Sequence, residues 1–133
     1  MKKLYFSLLT FLFLVVAHAQ IVNIPDANFK AKLLAANTEN GIASSQTPFY
    51  NSSNSSWTVS SCNKIDTNND GEIQVSEAQI IKFLDVLNCS ITNLEGIENF
   101  TNITYFGCSL NLLTSLNVQG LTNLQGLSCG GNQ

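Results

Sequence analysis

Charge is scarce in this chain and histidine nearly absent: 133 residues carry nine acids, six bases (all lysines) and a single histidine, for a net charge of −3. A surface so poor in basic groups offers no electrostatic footprint for a nucleic-acid backbone. The length fits one domain and is too short for most enzyme barrels. No long apolar run occurs either. The most apolar stretch, Leu4 to Val16, supplies about 13 residues, short of the roughly 20 that a membrane-spanning helix needs.

That stretch has another reading. Lys2 and Lys3 precede it and Ala17-His18-Ala19 follows, which gives the charged, apolar and small-x-small parts of a secretory leader. Residues 1–19 are expected to be removed after Ala19, so that the exported chain starts at Gln20 with no membrane span. Only four lysines then face the nine acids, a net charge of −5. His18 leaves with the leader, and with it any imidazole base, proton shuttle or zinc ligand. Triad hydrolases and zinc proteases are thereby excluded. A carboxylate pair of the glycosidase kind remains open, as does a cysteine without its usual histidine partner.

Residues 20–36 read as an N-terminal cap helix. Ile24 to Ala36 is helical in pattern, with Pro25 and Asp26 in its first turn and Phe29, Leu33 and Ala36 on one stripe. Residues 37–64 are rich in Ser and Asn and read as an insertion loop that cannot bury enough apolar surface to order itself. Its aromatic residues Phe49, Tyr50 and Trp57 are expected to pack back onto the domain, and Ser56 to Cys62 to be extended.

Residues 65–82 contain the most specific motif. Asp66-Thr67-Asn68-Asn69-Asp70-Gly71-Glu72-Ile73-Gln74-Val75-Ser76-Glu77 matches the twelve-residue EF-hand loop at each defining position. Calcium takes six to eight hard oxygens in loose geometry, and a tight turn brings alternate residues around one ion. Asp66, Asn68 and Asp70 are the first three ligands. Gly71 provides the positive φ of the sixth position, and Glu72 follows as a carbonyl ligand. Gln74 acts through a water, and Glu77, opening an exiting helix, gives both carboxylate oxygens. An ordinary Asx-rich turn has no reason to place glutamate at position twelve. Two features depart from a full EF-hand: the segment before the loop is extended, so the incoming helix is either Pro25 to Ala36 or missing, and no second loop is there to pair with. An affinity of order 10⁻⁴ to 10⁻³ M and a structural ion are expected.

Residues 81–133 repeat with a period of 21 to 22. Phe100-Thr101-Asn102-Ile103 recurs as Leu121-Thr122-Asn123-Leu124, and Cys108-x-x-Asn111 as Cys129-x-x-Asn132. On the template L-x-x-L-x-L-x-x-N/C-x-L the three units are Ile81, Leu84, Val86, Cys89, Ile91, then Ile103, Phe106, Cys108, Asn111, Leu113, then Leu124, Leu127, Cys129, Asn132.

With these units, the IPDANFKA helix and the DxNxDGxI segment, the chain resembles secreted bacterial leucine-rich repeat proteins of the internalin-like, short-repeat type. The resemblance covers nearly all of the chain past the leader except residues 37–64. It implies an α+β fold in which the N-terminal helix and EF-hand-like loop cap a short solenoid of parallel strands. The outward positions would be Phe83, Asp85 and Leu87; Tyr105, Gly107 and Ser109; Gly126, Ser128 and Gly130, making a small, mildly polar concave face. Each template Asn should be buried and bonded to backbone groups that no strand satisfies. Cys108 and Cys129 share an inward position one repeat apart and are expected as free packed thiols, whereas a Cys62–Cys89 disulfide stays open. The array stops just after Asn132, as a piece of a longer one would.

The expected function is non-enzymatic: an exported, calcium-stabilised, monomeric scaffold that recognises a protein or glycan. Two alternatives stay open, a calcium-dependent docking module that binds through the loop itself, and a glycoside hydrolase using Asp85 or Glu95 with Glu98.

Overall fold

The computed structural model describes residues 19–133; the leader assigned to residues 1–19, with His18, lies outside them except for Ala19. Among the described residues no helix is long and apolar enough to cross a membrane.

The cap helix α1 spans Ala27–Leu34 and is shorter than the sequence pattern indicates. Asp26 does not enter its first turn. It sits in extended backbone as the N-cap, and its Oδ1 accepts the Phe29 N–H at 2.9 Å. A carboxylate that bonds a free first-turn N–H is worth more outside the helix than within it. The expected stripe is present: Phe29, Leu33 and Ala36 are all buried.

The segment 37–64 is ordered, contrary to its composition. Strand β1 (Ala43–Ser44) pairs antiparallel with the first repeat strand, and β2 (Phe49–Asn51) forms a hairpin with β3 (Ser56–Thr58). Two mechanisms replace the missing apolar core. Ile42 and Ala43 are buried against the solenoid, and polar side chains tie the loop to itself: Ser44 Oγ donates to the Ser61 carbonyl at 2.6 Å, and Asn63 Oδ1 accepts the Ser45 N–H at 2.8 Å. Trp57 packs inward as expected, but Phe49 and Tyr50 stay exposed.

The repeats form a four-stranded sheet in the order β1-β4-β5-β6, where β4 is Phe83–Asp85, β5 Tyr105–Gly107 and β6 Gly126–Ser128. The last three are parallel, with Leu84, Phe106 and Leu127 in register, as the 21- to 22-residue period requires. Ile81, Leu84, Val86 and Ile91 of the first unit and Ile103, Phe106, Cys108 and Leu113 of the second are buried in one core. Leu127 and Cys129 occupy the same inward positions of the third unit yet are exposed, since no further coil of the described residues covers them. Asn111 is buried and bridges two coils: its Oδ1 accepts the Cys89 and Ile91 N–H groups, each at 3.0 Å, and its Nδ2 donates to the Val86 and Cys108 carbonyls.

Candidate calcium loop and recognition face

Two backbone conformations shape the loop 66–77. Asn69 and Gly71 have φ of 62° and 79°, and Asn and Gly are the residues that enter this region at least cost. The turns fold the side chains back on the loop. Asp66 accepts the Asn69 N–H on Oδ1 (2.7 Å) and the Gly71 N–H on Oδ2 (3.2 Å). Asp70 Oδ1 accepts the Glu72 N–H, while its Oδ2 takes the amide groups of Asn68 and Gln74, both at 2.8 Å. The Glu72 N–H foremost, with the two amides, holds the Asp70 carboxyl below its ordinary value despite some desolvation.

Glu77 closes the loop. It is the third residue of helix α2 (Val75–Ala78), a single turn where a longer exiting helix was expected. Its Oε1 accepts both the N–H and the hydroxyl of Thr67 at 2.7 Å, and its Oε2 the Gln74 N–H at 3.1 Å. Asp66, Gln74 and Glu77 are buried, and neither carboxylate has a cationic partner among the described residues. The Glu72 carboxylate points elsewhere, to Lys30 Nζ of α1 at 2.6 Å, which leaves only its carbonyl for the loop interior. Of the sequence-derived ligands, Asn68, Asp70 and Gln74 are thus bonded side chain to side chain, while Asp66 and Glu77 hold N–H groups of the same loop.

Among the described residues, no three His, Cys, Asp or Glu side chains are grouped closely enough to hold a metal by themselves. The donor set fits calcium only as a mixed one, in which Asn68, Gln74 and the Glu72 carbonyl join the carboxylates. Both amides now aim nitrogen at Asp70, so each needs a half-turn about its last torsion to present oxygen.

No helix leads into the loop, in agreement with the extended reading of Ser56 to Cys62. The missing second loop has a substitute that the sequence did not reveal. Residues 20–22 run antiparallel to 73–75: Val22 N–H donates to the Ile73 carbonyl and Val75 N–H to the Gln20 carbonyl, both at 2.8 Å. Three residues are too few for a strand pattern to register. Asp26 ties the other side of the cap to the first repeat, its Oδ2 accepting the N–H groups of Thr92 (2.8 Å) and Asn93 (3.1 Å).

The concave face differs from the small, mildly polar one expected. Its first row is aromatic and covered: Phe83 stacks on Tyr105 with centroids 5.0 Å apart, Trp57 lies 5.6 Å from Tyr105, and Tyr50 lies 5.5 Å from Trp57 across the hairpin. Phe83, Tyr105 and Gly126, read as outward positions, are buried. The second row, Asp85, Gly107 and Ser128, is flanked by Ser109, whose hydroxyl lies 2.8 Å from that of Ser128. Burial pushes the Asp85 carboxyl up, against a Leu87 N–H bond and the field of Lys32 that pull it down. Desolvation, with the nearby Asp85 charge, also raises the Tyr105 hydroxyl.

The residues considered for hydrolysis are divided. Glu95 and Glu98 line an open groove of about 750 Å³ with Leu94, Ile97, Asn117 and Gln119, but Asp85 does not reach it. Glu95 accepts from Asn23 at 2.7 Å, and Glu98 from the Gly96 N–H at 2.9 Å. All four cysteines are free, so Cys62 and Cys89 are not bonded. Cys108 is buried as expected while Cys129 is exposed, and burial, then the neighbouring Cys129 and Asp85, push the Cys108 thiol up to about 11.

No protein-family model and no curated protein matches the chain. Three solved structures from Listeria monocytogenes are similar to it. The functional domain of InlJ, which includes a cysteine ladder, aligns with a TM-score of 0.55 and 24% identity over 87% of this chain and 20% of that one. Internalin C2 aligns at 0.54 and 19% over 88% and 41%, and the internalin InlF at 0.55 and 20% over 90% and 28%. The present chain therefore spans a fifth to two-fifths of their lengths. The shared feature is the fold, an internalin-like leucine-rich repeat architecture.

Proposed function

We propose that this chain is an exported, non-enzymatic leucine-rich repeat scaffold that recognises a protein, stiffened at its N-terminal end by one calcium ion. The observation that carries the reading is the loop network. Five side chains that an EF-hand would use turn their polar groups onto the loop: Asn68, Asp70 and Gln74 bond to one another, and Asp66 and Glu77, buried carboxylates with no counter-charge among the described residues, hold loop N–H groups. Calcium would be held by side-chain oxygens of Asp66, Asn68 and Asp70, the Glu72 carbonyl, Gln74 through a water, and Glu77. The ion would neutralise the crowded acids, and this chain's own backbone would pass that order on. Within the loop Ile73 and Val75 bond to Val22 and Gln20 next to the cap helix, and directly after it Ala78 and Ile81 enter the core.

Recognition by a solenoid rests on rigidity, because each coil contacts only its neighbours and a loose first coil loosens the face built on it. The InlJ, internalin C2 and InlF likeness supports the scaffold, and the leader-like N-terminus supports export. The test is a melting curve with and without chelator, paired with calorimetry of calcium binding. EDTA should lower the melting temperature and calcium should give a saturable heat that Glu77→Gln abolishes. Superimposed curves and no heat would remove the calcium half of the proposal and leave the scaffold.

A further inference from the structure

On the reading of this chain as a protein-recognition scaffold, we infer that the second row of the concave face is a subsite for one cationic side chain, an arginine or lysine of a protein partner, with Asp85 as its counter-ion. Gly107 lets the Asp85 carboxylate lie down against β5 beside the Tyr105 hydroxyl. A Cβ at that position would fall 2.8 Å from Asp85 Oδ1 and 3.2 Å from the Tyr105 hydroxyl, so the carboxylate and the phenol converge over bare backbone. Ser128 and Ser109, joined at 2.8 Å, continue the row with two more oxygens. The aromatic hairpin contact of Trp57 on Tyr105 borders it on the covered side, and ring faces attract cations.

The chemistry selects a cation. Asp85 is half-buried, its Oδ1 accepts one N–H bond, from Leu87 at 3.0 Å, and no hydrogen bond reaches Oδ2 among the described residues. No lysine pairs with it: the one ion pair among the described residues is Lys30 with Glu72. The charged and titratable groups whose fields couple with Asp85 are Lys32 from α1, which stays beyond ion-pair distance, and Tyr105 and Cys108 from β5 and its continuation. A neutral sugar would cover the carboxylate and worsen its desolvation, whereas a guanidinium or ammonium would offset it. A guanidinium also matches a row of acceptors with a fork of donors.

The test is an NMR titration of the ¹⁵N-labelled calcium-loaded chain with N-acetyl-argininamide, N-acetyl-lysinamide and, as controls, N-acetyl-glutamine amide and a methyl glucoside. The cationic probes should shift the amides of Asp85, Leu87, Gly107 and Ser128, and Asp85→Asn should weaken them by at least about tenfold. Gly107→Ala, whose methyl displaces the carboxylate, should do the same with β4–β5 pairing preserved in the amide spectrum. No shift with either cation, shifts unchanged in both variants, or shifts with the glucoside alone would overturn the subsite. Immobilised chain probed with a panel of extracellular proteins separates this from the underlying reading. Retention of none overturns recognition, while retention indifferent to Asp85→Asn and to added N-acetyl-argininamide overturns the subsite only.

Discussion

Trp57 occupies the space that a side chain at Gly126 would need: a Cβ built on Gly126 would lie 2.5 Å from the indole Cε2 and 2.7 Å from Nε1. The hairpin and the third repeat strand are thereby docked through a residue with no side chain. Gly126→Ala should unseat the hairpin while leaving the solenoid folded, because the clash is with a rigid ring and not with the far end of a flexible chain. Trp57 is the only tryptophan, so a red shift and greater quenching of its fluorescence in Gly126→Ala report hairpin release directly. An emission spectrum identical to the parent's would refute this docking.

Asn111 and Asn132 repeat one another in sequence but not in burial. Asn111 satisfies two N–H groups and three carbonyls, most of them inside the core, whereas Asn132 is half-exposed and bonds one N–H, of Leu113 at 3.1 Å, and two carbonyls, of Cys129 at 2.8 Å and Cys108 at 3.1 Å. Leaving a buried group unsatisfied costs about 1–3 kcal/mol, so Asn111→Ala should lose about 3 kcal/mol or more and Asn132→Ala about 1 kcal/mol. Urea denaturation of both variants checks the ordering, and equal losses would contradict it.

Asp26 and Asp85 should give opposite dependences on pH. Burial alone would raise the Asp26 carboxyl, but N–H bonds from Phe29, Thr92 and Asn93 and the Thr92 hydroxyl bring it below 3.8. Its stabilisation is complete above the unfolded value and is lost as pH falls through the folded one. Asp26→Ala should therefore cost about 1 kcal/mol or more at pH 7 and less in acid. Burial holds Asp85 above 3.8, so its favourable state is the protonated one, fully present below 3.8 and lost as pH rises through the raised value. Asp85→Asn should raise the melting temperature at neutral pH and leave it unchanged near pH 3. Melting both variants across this range tests the pair.

Calcium stabilisation has a calculable size under the proposed affinity. With a dissociation constant of 10⁻⁴ to 10⁻³ M, about 10 mM calcium should add ~1.4 to 2.7 kcal/mol, and the increment should grow logarithmically with concentration. Val22→Pro, which removes the N–H that reaches Ile73 at 2.8 Å, should lower both the basal stability and this increment. A calcium increment untouched by Val22→Pro would show that the segment 20–22 does not support the loop.

The sequence by itself determined what is periodic or local. The 21- to 22-residue spacing dictates which residues lie in register across β4, β5 and β6, and the alternation of Leu84 and Val86 with Phe83 and Asp85 separates core from concave face. The turn at the head of the loop 66–77 was legible because it is local, as with the positive φ of Gly71. Tertiary structure alone decided the rest. Composition argues against order in residues 37–64, because it counts only the apolar surface a segment can bury within itself. Here the surface is supplied from far along the chain, by β4 for Ala43 and by Tyr105 and Gly126 for Trp57. The pairing of residues 20–22 with 73–75, the N-cap role of Asp26 and the convergence of Asp85 and Tyr105 over Gly107 were hidden for the same reason. Each is a contact between distant parts of the chain, whose free energy depends on positions that no local pattern encodes.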